Sequence, residues 1–300
     1  MLYPIVASIA LGLFSAVSAL PVGRDAGPVL ISRAVTTAKD GSKILDSSVV
    51  IGGLNMRFKI SGPPEAFIGA AGAATGAATT MGINVLFHGD GGQSFFDFPN
   101  QGVQNTLMGV ALLAPNKEMR WGGLGNGLDR PDGALHSAAV NAFITKVLPQ
   151  MMNFDNTKVF MEGISGGSLL LSGFLLPAFG ASLKSQLQLS DVVAVAGDIS
   201  NMRIHWQSST DDLAILQQSI PLSIQAYEKL ASDAGKSATE INQLQTADAS
   251  PNGGHCEFDE QDFVSGVQLL TDNYASILTG SGKLNGVSVE TGVVGNEQLF

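Results

Sequence analysis

Three hundred residues, 45% hydrophobic and 14% charged, can build one large core and do not fit a disordered chain. A net charge of −10, with no local run of Lys or Arg, speaks against nucleic-acid binding, because an acidic surface repels phosphate backbones. The single cysteine, Cys256, rules out an intramolecular disulfide, so stability has to come from packing.

Residues 1–19 read as a secretory signal. Ile5 to Val17 is apolar and uncharged, and Val17-Ser18-Ala19 supplies small residues for cleavage. The run is shorter than the roughly 20 residues of a spanning helix. A membrane anchor is the rival reading, and the stretch Met1–Pro4 lacks the usual Lys or Arg. The expectation is a secreted, extracellular protein with no stable membrane anchor after cleavage. Residues 20–45 are polar and mixed, without a clear period, and read as an N-terminal arm or pro-segment. Residues 46–300 read as one domain, with no repeat and no linker.

Within that domain, Val49–Ile51 and Met56–Ile60 are predicted strands. Gly69–Thr80 is a Gly/Ala/Thr-rich loop. Strands follow at Ile83–Phe87, Val110–Ala114, Val159–Met161 and Val192–Ala196, with a short one at Arg203–Trp206. Between and after them, helices are predicted over His136–Met152, Gly166–Phe179, Ser219–Ala234 and Glu260–Leu278. A strand before His255 is poorly marked, since Ile241–Thr246 is mostly polar. Apolar strands alternating with helices predict a mostly parallel central sheet covered on both faces.

Four places bear chemistry. Gly163-Ile164-Ser165-Gly166-Gly167 matches G-x-S-x-G between a strand and a helix, the setting in which a strained turn presents a nucleophilic serine. His88-Gly89-Asp90-Gly91-Gly92 follows another strand, and there the backbone N–H of Asp90, with that of Gly166, can stabilise an oxyanion. No Lys-Ser/Thr pair follows these glycines, so they are not a Walker loop. Of the four histidines, His255 alone lies downstream of both Ser165 and a plausible acid. For the acid, Asp211 is the first choice, Asp212 a close second and Asp198 the third, because spacing does not separate neighbours. Trp121, in the glycine-rich stretch 116–133, could wall an open cleft or simply pack. The sequence shows no metal-ligand spacing, and neither metal nor cofactor is expected. Cys256 is expected to be buried and not catalytic.

The order Ser165, Asp211, His255 resembles the α/β-hydrolase superfamily over about residues 46–280. Within it, His88–Gly92, Arg120-Trp121 before Gly122-Gly123, and Gly254-His255-Cys256 are similar to secreted esterases of the polyhydroxybutyrate depolymerase and feruloyl esterase group. The resemblance implies an α/β-hydrolase fold with little or no cap domain. It also implies hydrolysis of a small-molecule or polymeric ester. A secreted peptidase of the same fold, or a non-catalytic hydrolase-like cell-wall binding protein, are the alternatives.

Overall fold

A computed structural model describes residues 29–38, 41–68, 79–97, 103–104, 107–156, 158–187, 204–249 and 251–257. The signal segment, the strand over 192–196, the helix over 260–278 and Asp198 lie outside these residues.

Gly52 and Gly53 stand at φ 57° and 83°, the left-handed pair that a two-residue hairpin turn requires. They join β2 (Lys43–Ile51) to β3 (Leu54–Gly62) in continuous antiparallel register. The edge strand β1 (Val29–Thr37) pairs antiparallel with β2. Much of the segment expected as an arm is therefore part of the sheet from Val29 onward. Ala34–Thr37 is exposed, which is why no burial period marks it.

Three further strands, β4 (Gly82–Phe87), β6 (Leu107–Leu112) and β7 (Val159–Gly163), complete the order β1-β2-β3-β6-β4-β7, with the short β5 (Val103–Gln104) on β6. Every residue of β4 and β6 is buried, as expected of strands covered on two faces. The pairs β4–β6 and β4–β7 are parallel, while β1–β2, β2–β3, β3–β6 and β5–β6 are antiparallel. The expected mostly parallel sheet is thus a mixed one among the described residues. Hairpin connections in the N-terminal third impose antiparallel pairing, and parallel pairing begins only where helical crossovers start. A separate parallel pair joins β8 (Ile204–Gln207) to β9 (Gln245–Asp248).

Successive strand residues point to opposite faces, and the two faces are covered by different helices. Phe58 meets Phe143 with ring centroids 4.9 Å apart. Phe143 continues α2 (Gly133–Ala142), whose helical path runs on through Gln150. Lys59, on the opposite face, is fully buried with its Nζ 4.6 Å from the Phe95 ring centroid in α1 (Gln93–Asp97). The main core lies on the Phe58 face, where Met56, Ile60, Ile83, Val85, Phe87, Val110 and Leu112 pack with Val140, Phe143, Ile144 and Val147.

After β7, α3 (Gly166–Leu170) runs through a wider turn at Leu171–Leu175 into α4 (Leu176–Leu187). The long α5 (Ala214–Asp233) contains Pro221, and α6 (Ala238–Leu244) starts with a Ser237–Glu240 capping box. Tyr227 of α5 donates a 2.5 Å hydrogen bond to the Ser172 carbonyl, and its ring meets Trp206 at 5.6 Å. Helix α5 is thereby seated on the helix that begins at Gly166. Among the described residues no helix is long and apolar enough to cross a membrane.

Candidate functional site

Strands β4 and β7 run parallel with Phe87 opposite Gly163, so the loops that follow them leave the same sheet edge. In parallel sheets this carboxyl edge is where ligands bind. The Ile164 N–H donates to the Phe87 carbonyl at 2.9 Å and continues the pairing to the residue before the serine. The apolar Ile164 is buried there. Ser165 then stands at φ 48°, ψ −113°, a conformation costing roughly 1–3 kcal/mol for a non-glycine residue. It is the N-cap of α3, so the helix begins at the serine and directs its first N–H groups there.

The turn closes only because its flanking residues lack side chains. A Cβ on Gly167 would lie 2.0 Å from the Phe87 carbonyl oxygen and 2.8 Å from that of His88. Both are backbone atoms at the root of the next loop and cannot swing aside. Gly167→Ala is expected to cost about 1–3 kcal/mol, the usual penalty of overpacking. A lower urea midpoint with unchanged slope would report it, whereas an unchanged midpoint would show that the turn tolerates a methyl group.

The loop His88–Gly92 packs directly on this turn. A Cβ on Gly89 would lie 3.3 Å from the Ser165 Cβ, and one on Gly166 would lie 3.3 Å from the Asp90 backbone nitrogen. The two backbone nitrogens expected to hold an oxyanion, those of Asp90 and Gly166, therefore belong to touching residues beside Ser165. His88 anchors the loop from inside. Its Nε2 accepts the Ala114 N–H at 2.9 Å while its Nδ1 lies 2.6 Å from the Gly89 carbonyl. Burial lowers its pKa to about 4, so the ring is neutral, as an accepting Nε2 requires. Trp121 is fully buried, 5.3 Å from the His88 ring and 5.8 Å from Phe87. Of its two expected roles, packing is the one seen.

Asp212 and His255 meet on a second pair of loops. The Ser209 hydroxyl donates to the Gly254 carbonyl at 2.7 Å, the Thr210 N–H to Pro251 at 2.9 Å and the Asp211 N–H to Gly253 at 3.2 Å. This lacing holds the acid loop beside the histidine loop. Asp212 then faces inward, 8% exposed. Its Oδ1 lies 2.6 Å from His255 Nδ1 and also accepts the Leu213 N–H at 2.7 Å. Asp211 is exposed and joins the lacing only through its backbone. The first-choice acid is thereby corrected: Asp212, not Asp211, orients His255. One residue of offset decides which of two adjacent carboxylates faces the imidazole.

Among the described residues His255 is held through Nδ1, and its buried Nε2 has no hydrogen-bond partner there. Ser165 and His255 are not hydrogen-bonded to each other; each is instead fixed by its own loop. The glycine-rich turn organised by Arg120 approaches the acid loop: a Cβ added at Gly127 would lie 3.6 Å from Ile215 Cδ1, three residues past Asp212. The hydrogen bond to Asp212, and after it the neighbouring side chain of buried Cys256, raise the His255 pKa to about 10. Cys256 itself stands at φ 63°.

The other histidines have structural partners. His136 Nδ1 accepts the Gly122 N–H at 2.9 Å, and burial lowers its pKa. His205 Nε2 lies 3.0 Å from Gln207 Oε1. Among the described residues no group of three or more His, Cys, Asp or Glu side chains could hold a metal ion. Arg130, and Arg120 beyond its part in the resemblance, also belong to this site, although neither was expected to have a role in it. Arg130 grips the Asp90 carboxylate with both terminal nitrogens, at 3.0 and 2.9 Å, and Arg120 Nε lies 3.3 Å from it. No protein-family model and no curated protein matches this chain.

Proposed function

We propose that this protein is a secreted serine hydrolase of the α/β-hydrolase type that cleaves carboxylic esters through an acyl-enzyme. The observation that carries the reading is the imidazole of His255, fixed on Nδ1 by the buried carboxylate of Asp212 while its buried Nε2 has no hydrogen-bond partner among the described residues. A histidine serving only to hold the fold has no use for that asymmetry. A general base needs it, because Nε2 must be open to take a proton.

Ser165 Oγ attacks the carbonyl carbon and its proton passes to His255 Nε2. The carbonyl oxygen gains the negative charge and lies toward the N–H groups of Asp90 and Gly166. Asp212 keeps the Nδ1 proton in place and stabilises the imidazolium without itself becoming protonated. The C–O bond of the ester breaks, and Nε2 returns the proton to the leaving alcohol. Water then gives a proton to Nε2 as it attacks the acyl-serine; the bond between the acyl carbon and Ser165 Oγ breaks, Nε2 returns the proton to Oγ, and the carboxylic acid leaves.

A panel of nitrophenyl esters and matched anilides tests this reading. Ester turnover exceeding anilide turnover, and lost in Ser165→Ala, is the expected result. Faster anilide turnover would make the protein a peptidase, and no turnover of either would leave a binding protein.

The reading also fixes the direction of a pH dependence. The base must be neutral, yet Asp212 and Cys256 favour the imidazolium. Activity therefore rises as pH climbs through a value raised toward about 10. Stability runs the other way: the contribution of His255 is complete below the ordinary value of about 6.5 and is lost as pH rises through about 10. A pH profile of kcat/KM should place its rising limb above the ordinary histidine range, and Asp212→Asn should move that limb to lower pH. A wild-type limb near 6.5 that ignores the substitution would contradict the coupling.

A further inference from the structure

We propose that Arg130 is a positioning residue for the oxyanion site, setting the backbone N–H of Asp90 relative to that of Gly166 by gripping the Asp90 side chain. The proposal rests on the serine-hydrolase reading above.

Asp90 sits between glycines in a turn tied at Gly91, whose N–H donates to the Met119 carbonyl, and at Gly92, whose N–H donates to the Gly89 carbonyl, both at 3.0 Å. Those bonds hold its neighbours, but its side chain is 40% exposed, so burial does not determine where the carboxylate lies. Arg130 does. Only 6% exposed, it presents two parallel N–H bonds to the two carboxylate oxygens, at 3.0 and 2.9 Å. That fork fixes orientation as well as distance, which a lone ammonium does not.

Arg130 is itself held in place. Its Nη1 also reaches the carbonyl of fully buried Trp121 at 3.3 Å. Gly122 presses on its stem: a Cβ there would lie 2.5 Å from the Arg130 Cβ. The Gly122 carbonyl accepts the Asp132 N–H at 2.8 Å, which closes the loop around Arg130.

Arg120 has a different task. Its Nη1 and Nη2 donate to the carbonyls of Gly125 and Gly127 at 2.9 and 2.8 Å, so it organises the neighbouring turn and reaches Asp90 only through Nε.

The far side of the same carboxylate touches the nucleophile turn. A Cβ on Gly166 would lie 2.0 Å from Asp90 Oδ1. Asp90 Oδ1 is thus a spacer between Arg130 and Gly166, and the Asp90 backbone nitrogen rides on it. Releasing the carboxylate leaves that nitrogen set only by the bonds of its neighbours Gly89, Gly91 and Gly92. Two guanidiniums against one carboxylate also leave a net positive charge beside the point where the oxyanion forms, which favours the transition state over the neutral ester.

A purely structural ion pair would affect melting temperature and the fraction of working sites. A positioning role affects the rate at each working site. The test therefore uses the full-length protein with Arg130→Lys and Arg130→Ala, and reads kcat per site counted from the nitrophenol burst. It also reads the affinity for phenylboronic acid, which forms a tetrahedral adduct on the serine.

Arg130→Lys keeps the charge and loses the fork. Its kcat per site should fall about 10-fold, with KM unchanged and boronate affinity weakened by a similar factor. Arg130→Ala should approach the roughly 100-fold loss seen when an oxyanion donor is removed. Should Arg130→Ala fail to fold, Asp90→Asn, which weakens the same fork from the other side, is expected to match Arg130→Lys.

Wild-type kcat per site and boronate affinity in Arg130→Lys and Asp90→Asn would overturn the proposal while leaving the serine-hydrolase reading standing. Absence of ester turnover and of boronate binding in the wild-type protein would overturn both.

Discussion

Ser165→Ala is expected to lower ester kcat by about 10⁶-fold, the scale on which a triad hydrolase loses rate when its nucleophile is removed. The side chain is the only atom group that can form the acyl-enzyme, so no neighbour replaces it. The φ of 48° at this position strains serine and alanine alike, and the elbow depends on Gly163, Gly166 and Gly167 instead. The melting temperature should therefore stay near the wild-type value while activity disappears. Retention of more than about a hundredth of the wild-type rate, well above the residual level of a triad without its nucleophile, would mean that another residue attacks.

The acid gives the second large effect. Asp212→Asn should cost about 10⁴-fold in kcat, because an amide in place of the carboxylate stabilises the wrong imidazole tautomer and leaves the imidazolium without its counter-charge. Asp211→Asn should change kcat by no more than about 2-fold, as expected of an exposed carboxylate whose side chain orients nothing. The backbone of residue 211 keeps its hydrogen bond to Gly253 in either case. Steady-state rates of the two variants, measured side by side, decide the assignment. Loss of activity in Asp211→Asn alone would reverse it.

The same pair shows how far the sequence could be read. Ser165 was legible because three independent signals coincide there: an apolar strand, small residues on both sides of a serine, and a helix pattern immediately after. His255 was legible by its place in the chain. The carboxylate that meets His255 was legible to within one residue and no further, because side-chain direction depends on the lacing of Ser209, Thr210 and Asp211 onto residues 251–254, and no local pattern encodes that pairing.

The sheet was legible where strands are buried on both faces, as in β4 and β6, and illegible where they are exposed or polar, as in β1 and β9. The N-terminal hairpins turned an expected mostly parallel sheet into a mixed one, since short apolar runs state that a strand exists but not which way it pairs. Arg130 carried no readable signal of its role, because its partner lies forty positions earlier.

The central claim, that Ser165 is a nucleophile activated by His255 and Asp212, is tested most directly by reaction with a fluorophosphonate followed by peptide mapping. One phosphonyl group on the peptide containing Ser165, absent from Ser165→Ala and forming much more slowly in Asp212→Asn, is the predicted result. Labelling that persists in Ser165→Ala, or that ignores Asp212→Asn, would contradict it.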